Sequence, residues 1–267
     1  MLKNSSHNDS DAMKLSSIII AKNEEKNIGR CIKSQLNCID EIVVLVDKES
    51  NDRTVEIVKD FENVRYELAE WMGYAKTKQY AVGLTSNEWI LWIDADEKVT
   101  NNLSEELNQF KNNNPKHAAY SIPRKAFFLG KWIKHSGWYP GRVVRLFNKN
   151  KVKFDERNVH EQLIFQGESG QLKNDLEHYT DPNIFHYFEK FNKYTSLAAK
   201  ELVDSNYSFT LTDILLRPLS IFIKMFFIKR GFLDGAHGFI LAVFSALYVF
   251  TKYAKLWELN LPLGKKD

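Results

Sequence analysis

Cysteine is almost missing from this chain: Cys31 and Cys38 are the only two in 267 residues. Seven residues apart in a segment of helical pattern, they fit neither a metal knuckle nor a disulfide framework, and a reducing cytoplasm is the simpler reading. An excess of one charge is also missing. With 37 basic against 34 acidic residues the net charge is +3, too little to suggest the concentrated basic face of a nucleic-acid binder. No apolar segment opens the chain, so its polar start cannot act as a secretory signal, and residues 1–13 read as a disordered tail. There is no internal repeat and no low-complexity tract. The apolar run from Phe239 to Phe250, about a dozen residues, falls short of the roughly 20 needed to span a bilayer. At 44% hydrophobic and 27% charged, the composition is that of a globular chain long enough to bury a substantial core.

What is present is an alternation. Leu15–Ala21 is a β-branched apolar run suited to a buried parallel strand, and Lys22-Asn23-Glu24-Glu25 opens a helical pattern through Leu36. Glu41–Asp47 repeats the theme, with Ser50-Asn51-Asp52 as turn and cap before a helix over Thr54–Phe61. Val64–Glu67 is a weaker strand, Gly73–Gly83 a helix, and Trp89–Ile93 a fully buried strand that ends on acid. Strands alternating with helices predict an α/β fold with a mainly parallel sheet, whose ligands lie beyond the carboxyl ends of its strands. Lys22-Asn23-Glu24, Asp47 and Asp94-Ala95-Asp96 all fall at such ends.

Two carboxylates one residue apart at a strand end can share a hard divalent cation that bridges to phosphate oxygens. Asp94 and Asp96 therefore suit a departing nucleoside diphosphate, with the cation neutralising charge on the leaving group. The bland alternative is an acidic turn capping the following helix. The segment Asp155-Glu156-Arg157-Asn158-Val159-His160-Glu161 offers three carboxylates as a base for an attacking hydroxyl. Lys76, Lys78 and Gln79 lie on the helix before the acidic strand, where Lys78 either faces a phosphate or belongs to a solvated face.

The succession Ser17–Glu24, Val46–Thr54 and Trp89–Glu97 resembles the family 2 glycosyltransferases, and within them the lipopolysaccharide core enzymes of β-glucosyltransferase type. The likeness runs from Leu15 to about Leu259. It implies a GT-A fold and an inverting, metal-dependent hexosyltransferase that uses Mn2+ or Mg2+ and a nucleotide-sugar such as UDP-glucose. By the same resemblance Ala21, Asn23 and Glu24 border the nucleotide pocket, and Asp47 bonds the uracil or ribose. Asp94 and Ala95 meet the donor, Lys78 stands near the phosphates, and Asp96, Asp94 and His178 hold the metal. The Val-His-Glu motif of that subgroup selects Glu161 as base, with His160 beside it, while Asp155 and Glu156 stay open. Lys48-Glu49 and Arg53 depart from the small residues and glycine of the relatives.

The aromatic and basic stretch Phe127–Pro140 suits an acceptor loop, since flat rings match sugar C–H faces and Lys suits acidic sugars. From Ile214 to Arg230 large apolar residues combine with Arg217 and Lys224, seven apart on one helical face, as in an interfacial helix. Gly231, Gly235 and Gly238 break the chain before Phe239–Phe250, and Lys252 and Lys255 follow. Two helices lying on an anionic leaflet are predicted, against a buried hairpin or a dimer interface. The resulting division is a nucleotide-sugar half over 14–118, an acceptor and catalytic half over 119–205, and an amphipathic helical, membrane-associating appendage over 206–267.

The expected protein is peripheral on the cytoplasmic face of an inner membrane and transfers to a lipid-linked or lipopolysaccharide core sugar, with a homo-oligomer possible. Two alternatives stay open. A sugar-nucleotide nucleotidyltransferase would want a glycine- and basic-rich loop after its first strand, where Lys22-Asn23-Glu24-Glu25 stands instead. An inactive membrane-bound scaffold would have no need of Asp47, Asp94, Asp96 and Glu161.

Overall fold

The computed structural model describes residues 12–154 and 163–261. The chain divides into two units, Met1–Arg124 with Arg142–His178 and Lys125–Gly141 with Tyr179–Asp267. In the first, β1 (Leu15–Ala21), α1 (Ile28–Lys33), β2 (Glu41–Asp47), α2 (Thr54–Lys59), β3 (Val64–Ala69), α3 (Tyr74–Gly83) and β4 (Trp89–Asp94) alternate as the pattern predicts. β5 (Glu97–Val99), α4 (Asn101–Lys111) and β6 (Ala119–Phe128) follow. The two-residue β7 (Lys131–Trp132) pairs with β6, and β8 (Gly141–Asn148) comes next. The short pairs β9 (Lys153–Phe154) and β10 (Leu163–Ile164), then β11 (Gly170–Gln171) and β12 (Leu176–Asp181), complete the strands.

The sheet order is β3-β2-β1-β4-β8-β6-β12-β5. Its first four strands are parallel, and β8 turns antiparallel to β4. Central parallel strands are covered on both faces, which is why β1 and β2 are continuous apolar runs: Ile18, Ile19, Val44 and Val46 have no exposed surface. Val46 pairs with Ala21, Asp94 with Ile20 and Asp47 with Ala69, so the three polar clusters do reach one edge of the sheet.

α1 is shorter than its pattern predicts. Asn23 adopts φ 57, a left-handed conformation that Asn tolerates. The backbone N–H groups of Glu24 and Glu25 then donate to Thr54 Oγ1 (2.7 Å) and Asp52 Oδ2 (2.9 Å) on the loop after β2. These bonds hold the segment as a loop, and the helix starts only at Ile28.

The second unit is helical. α5 (Ile184–Asp204) is capped by Asn183, whose side chain accepts from the His186 N–H. α6 (Leu211–Ile223) opens with a capping box between Thr210 and Asp213 and contains Pro218. A π turn (Lys224–Ile228) and a 3-10 turn (Gly231–Asp234) lead into α7 (Ala236–Leu259). Gly238 lies inside α7 and does not break the chain as expected. A Cβ there would stand 1.9 Å from the Gly231 carbonyl oxygen, so the bare glycine lets the turn close on the helix. α7 therefore runs 24 residues, about twice the predicted apolar run, and is long and apolar enough to cross a membrane by length and composition.

Candidate active site

The site is built on the carboxyl edge of the parallel strands. At the end of β2, Asp47 is 6% exposed; its Oδ1 accepts the Glu49 N–H (2.9 Å) and Lys22 Nζ lies 3.1 Å from its Oδ2. Burial alone would raise this carboxyl, but the Glu49 N–H and the Lys22 ammonium outweigh it and hold the pKa below the ordinary value. A recess beside it is lined by Ile20, Leu45, Ala69, Trp71 and Thr77. Asn23 closes the neighbouring loop: its Oδ1 accepts the Asn51 N–H at 2.9 Å, and its own N–H donates to Ser50 Oγ at 3.3 Å. Ala21 and Ala95 pack into the core, 1% and 3% exposed, so any contact either makes with a donor runs through its backbone.

Asp94, Ala95 and Asp96 form the turn between β4 and β5. They do not cap α4, whose N-cap is Thr100 accepting from the Leu103 N–H. β5 runs antiparallel to β12 with Glu97 opposite His178. That register brings His178 Nε2 to 3.4 Å from Asp96 Oδ2, with both side chains less than a fifth exposed. Asp94 turns elsewhere: its Oδ1 accepts Trp92 Nε1–H (3.2 Å) and its Oδ2 an N–H of Arg145. Among the described residues no three His, Cys, Asp or Glu side chains are grouped as a metal set; Asp96 and His178 stand together, and Asp94 is held by Arg145.

The support behind this turn was not predicted. Glu97 is fully buried, accepts from Arg145 (3.0 Å) and from the Asp94 backbone N–H (2.9 Å), and lies 3.6 Å from Arg124. The β4–β8 register pairs Leu91 with Leu146 and so sets Arg145 alongside Trp92. The Arg145 guanidinium lies 4.3 Å and the Lys78 ammonium 3.5 Å from the Trp92 ring centre. Lys78 is 7% exposed, which removes the solvated-face reading, and burial brings its pKa down to about 7 against the pull of Asp94. For Asp94 burial acts upward, while Arg145 and then Lys78 outweigh it and lower the pKa. Beneath the turn, the buried Cys31 thiol reaches the Asp94 carbonyl at 3.5 Å, and burial pushes its pKa well up.

Asp155, Glu156, His160 and Glu161 lie outside the described residues.

Residues 16–198 match the model of glycosyl transferase family 2. The chain belongs to this family. An uncharacterized glycosyltransferase of Rickettsia typhi is 32% identical over 93% of this glycosyltransferase and 88% of the relative. The lipopolysaccharide core biosynthesis glycosyltransferase LpsC of Rhizobium meliloti is 29% identical over 91% and 92% of the two chains. Among solved structures, a mannosyltransferase of Pyrobaculum calidifontis, in complex with GDP-Man and Mn2+, superposes with a TM-score of 0.55 at 11% identity over 94% and 89%. That similarity establishes the GT-A-like α/β fold of this glycosyltransferase.

Proposed function

We propose that this glycosyltransferase is an inverting, metal-dependent hexosyltransferase. Its donor is a nucleotide-sugar such as UDP-glucose, and its acceptor a lipid-linked or lipopolysaccharide core sugar. The reading rests on the Asp96–His178 pair, 3.4 Å apart at the carboxyl edge of the sheet with Asp47 on the same edge. A carboxylate and an imidazole, partly shielded from water, fit Mn2+ or Mg2+ with coordination left over for diphosphate oxygens. When bound, the cation supplies positive charge to the departing nucleoside diphosphate.

The chain's own residues do the rest. Asp47 accepts a hydrogen bond from the base or ribose. Asp94, held by Arg145 and Trp92, presents a fixed acceptor to a donor-sugar hydroxyl. Lys78 brings positive charge toward the diphosphate, and Glu161, with His160 beside it, takes the proton of the attacking acceptor hydroxyl. The likeness to LpsC supports a lipopolysaccharide core acceptor, and the apolar, basic second unit supports peripheral attachment to the cytoplasmic face of a membrane.

The test is a screen of UDP- and GDP-sugars with Mn2+ or Mg2+, read by mass spectrometry as release of nucleoside diphosphate. Asp96→Ala and His178→Ala are each expected to reduce turnover at least about 100-fold, since losing a coordinating group forfeits a few kcal/mol of transition-state stabilisation. Circular dichroism should stay unchanged. Full activity of either variant, or full activity in EDTA, would remove the metal site from this reading. Glu161→Gln should abolish transfer while leaving donor binding intact; if it transfers normally, Asp155→Asn and Glu156→Gln identify the base.

A further inference from the structure

α7 is long and apolar enough to cross a membrane by length and composition, yet its neighbours argue against crossing. Along its second half it is bound to α5. Tyr253 and Leu256 of α7 are buried with Ala199 of α5 in one apolar cluster, and Lys255 Nζ reaches Asn192 Oδ1 (2.8 Å), Thr195 Oγ1 (2.9 Å) and Ser196 Oγ (2.8 Å). Further back, Phe244 packs on Tyr187 and Phe188, with ring centres 4.9 and 5.0 Å apart. α5 carries Glu189, Lys190, Lys193, Lys200, Glu201 and Asp204. An α7 that crossed a bilayer would drag these charges into hydrocarbon or strip off its own partner, and either is costly.

Leu211, Leu215 and Leu216 on α6 and Trp257 and Leu259 on α7 are exposed, and a further apolar patch lies at the elbow between the two helices. Leu219, Phe227, Ile228, Phe232 and Leu233 are 48 to 69% exposed there. Behind them Phe226 stacks on Phe222 and meets Phe239 edge-on, so the elbow is a preformed aromatic wedge and not a loose loop. Its charge is one-sided. From Ile214 to Trp257 the only acid is Asp234, against Arg217, Lys224, Lys229, Arg230, Lys252 and Lys255. Asp234 is 2% exposed and turned inward, accepting the backbone N–H groups of Lys134 and His135. Lys224, Lys229 and Arg230, by contrast, are exposed. Exposed large apolar groups with an exposed collar of cations and no exposed acid match the interface of an anionic bilayer.

We infer that the α6–α7 elbow inserts into one leaflet of an anionic membrane as an in-plane wedge, and that α7 does not span it. The inference rests on the peripheral reading above for the kind of partner, and deepens it by naming the inserted element and the depth order of its residues. Ile228 and Phe232 enter the acyl boundary, Lys224, Lys229 and Arg230 meet the phosphates, and Leu247, 42% exposed midway along α7, stays outside the hydrocarbon.

The experiment uses the full chain and vesicles of phosphatidylcholine alone or mixed with phosphatidylglycerol. Wild type should float with the anionic vesicles, and Phe227→Asp combined with Ile228→Asp should weaken flotation by at least about tenfold, because two large side chains are then lost from the apolar phase. Lys224→Gln with Lys229→Gln should weaken it less and remove most of its salt dependence. A fluorophore on Phe232→Cys should be quenched by brominated lipid more strongly than one on Leu247→Cys. Stronger quenching at Leu247 means that α7 spans and overturns the inference. So does flotation that ignores the aspartates, or an elbow covered by a second copy, seen as a dimer in sedimentation that the aspartates dissociate. Donor hydrolysis in detergent is measured on the same preparations, so a failure of the wedge is separable from a failure of the transferase reading.

Discussion

Arg145 serves two carboxylates, and they differ in what its loss would do. Asp94 is partly exposed and can turn to water, whereas Glu97 is fully buried and would keep only Arg124, 3.6 Å away, as a cationic partner beside the Asp94 N–H. Arg145→Met is therefore expected to destabilise the fold by about 3 kcal/mol, the usual effect of stranding a buried charge, measured by urea unfolding. Pairing it with Glu97→Gln should recover part of that loss. Lys78 makes a different prediction. With its pKa near 7, the charge available to a diphosphate fades as pH rises through that value, so the donor KM should climb between about pH 6 and 8. Lys78→Arg, which keeps its charge, should flatten that profile; a wild-type KM that does not move removes Lys78 from the phosphate site. Asp94, Asp96 and His178 stood out in the sequence because acids at a strand end and a late histidine are chemically conspicuous. Arg145 and Trp92 did not. Their meaning depends on an antiparallel pairing that brings Arg145 to a carboxylate 51 positions away, and nothing local marks that contact.

At the scale of single elements, the parallel strands were legible because strands covered on both faces must be apolar throughout. β1 and β2 begin and end where the pattern places them. α1 was not, since helical spacing continues through Lys22–Ile28 while side chains from the loop after β2 take up the backbone N–H groups there. α4 shows a local signal working as it should. Thr100 Oγ1 accepts the Leu103 N–H and donates to the Asp175 carbonyl at 2.8 Å, fastening the helix start to the segment before β12. Thr100→Ala should lower stability by about 1 kcal/mol, and Thr100→Ser should restore most of it, read as shifts of the denaturant midpoint. α7 runs past the apolar stretch Phe239–Phe250 at both ends and takes in Lys252 and Lys255. In the fold Lys252 lies over the Tyr253 ring, 4.4 Å from its centre, and Lys255 binds the polar side of α5, so the helix continues past both.

Across the whole molecule, Glu41, Asp47, Asp52, Asp94 and Asp213 all have pKa values lowered by folding. In each, burial acts upward and is outweighed by hydrogen bonds or cations. Such groups contribute stability above their unfolded pKa, near 4, and lose it as pH falls through the lower folded value. Unfolding free energy should therefore hold steady from about pH 7 to 5 and drop steeply between about 4 and 2. Asp47→Asn should lie below wild type at neutral pH and converge on it in acid. A gap that persists at pH 2 would mean that the carboxylate's charge is not what Asp47 contributes. The five carboxylates are spread over both units, Asp213 being on α6 and the others in the first unit.

The Cys31 thiol bonded under the Asp94 carbonyl is one of two sulfhydryls among the described residues, and both are buried. The thiol is buried, so a maleimide reaches it only when the structure around the acidic turn opens, and its labelling rate is a clock for that opening. Replacing Cys38 with Ala leaves a single reporter behind the acidic turn. The factor by which a nucleotide-sugar slows that clock would then report, without any turnover, how firmly the donor fastens the turn.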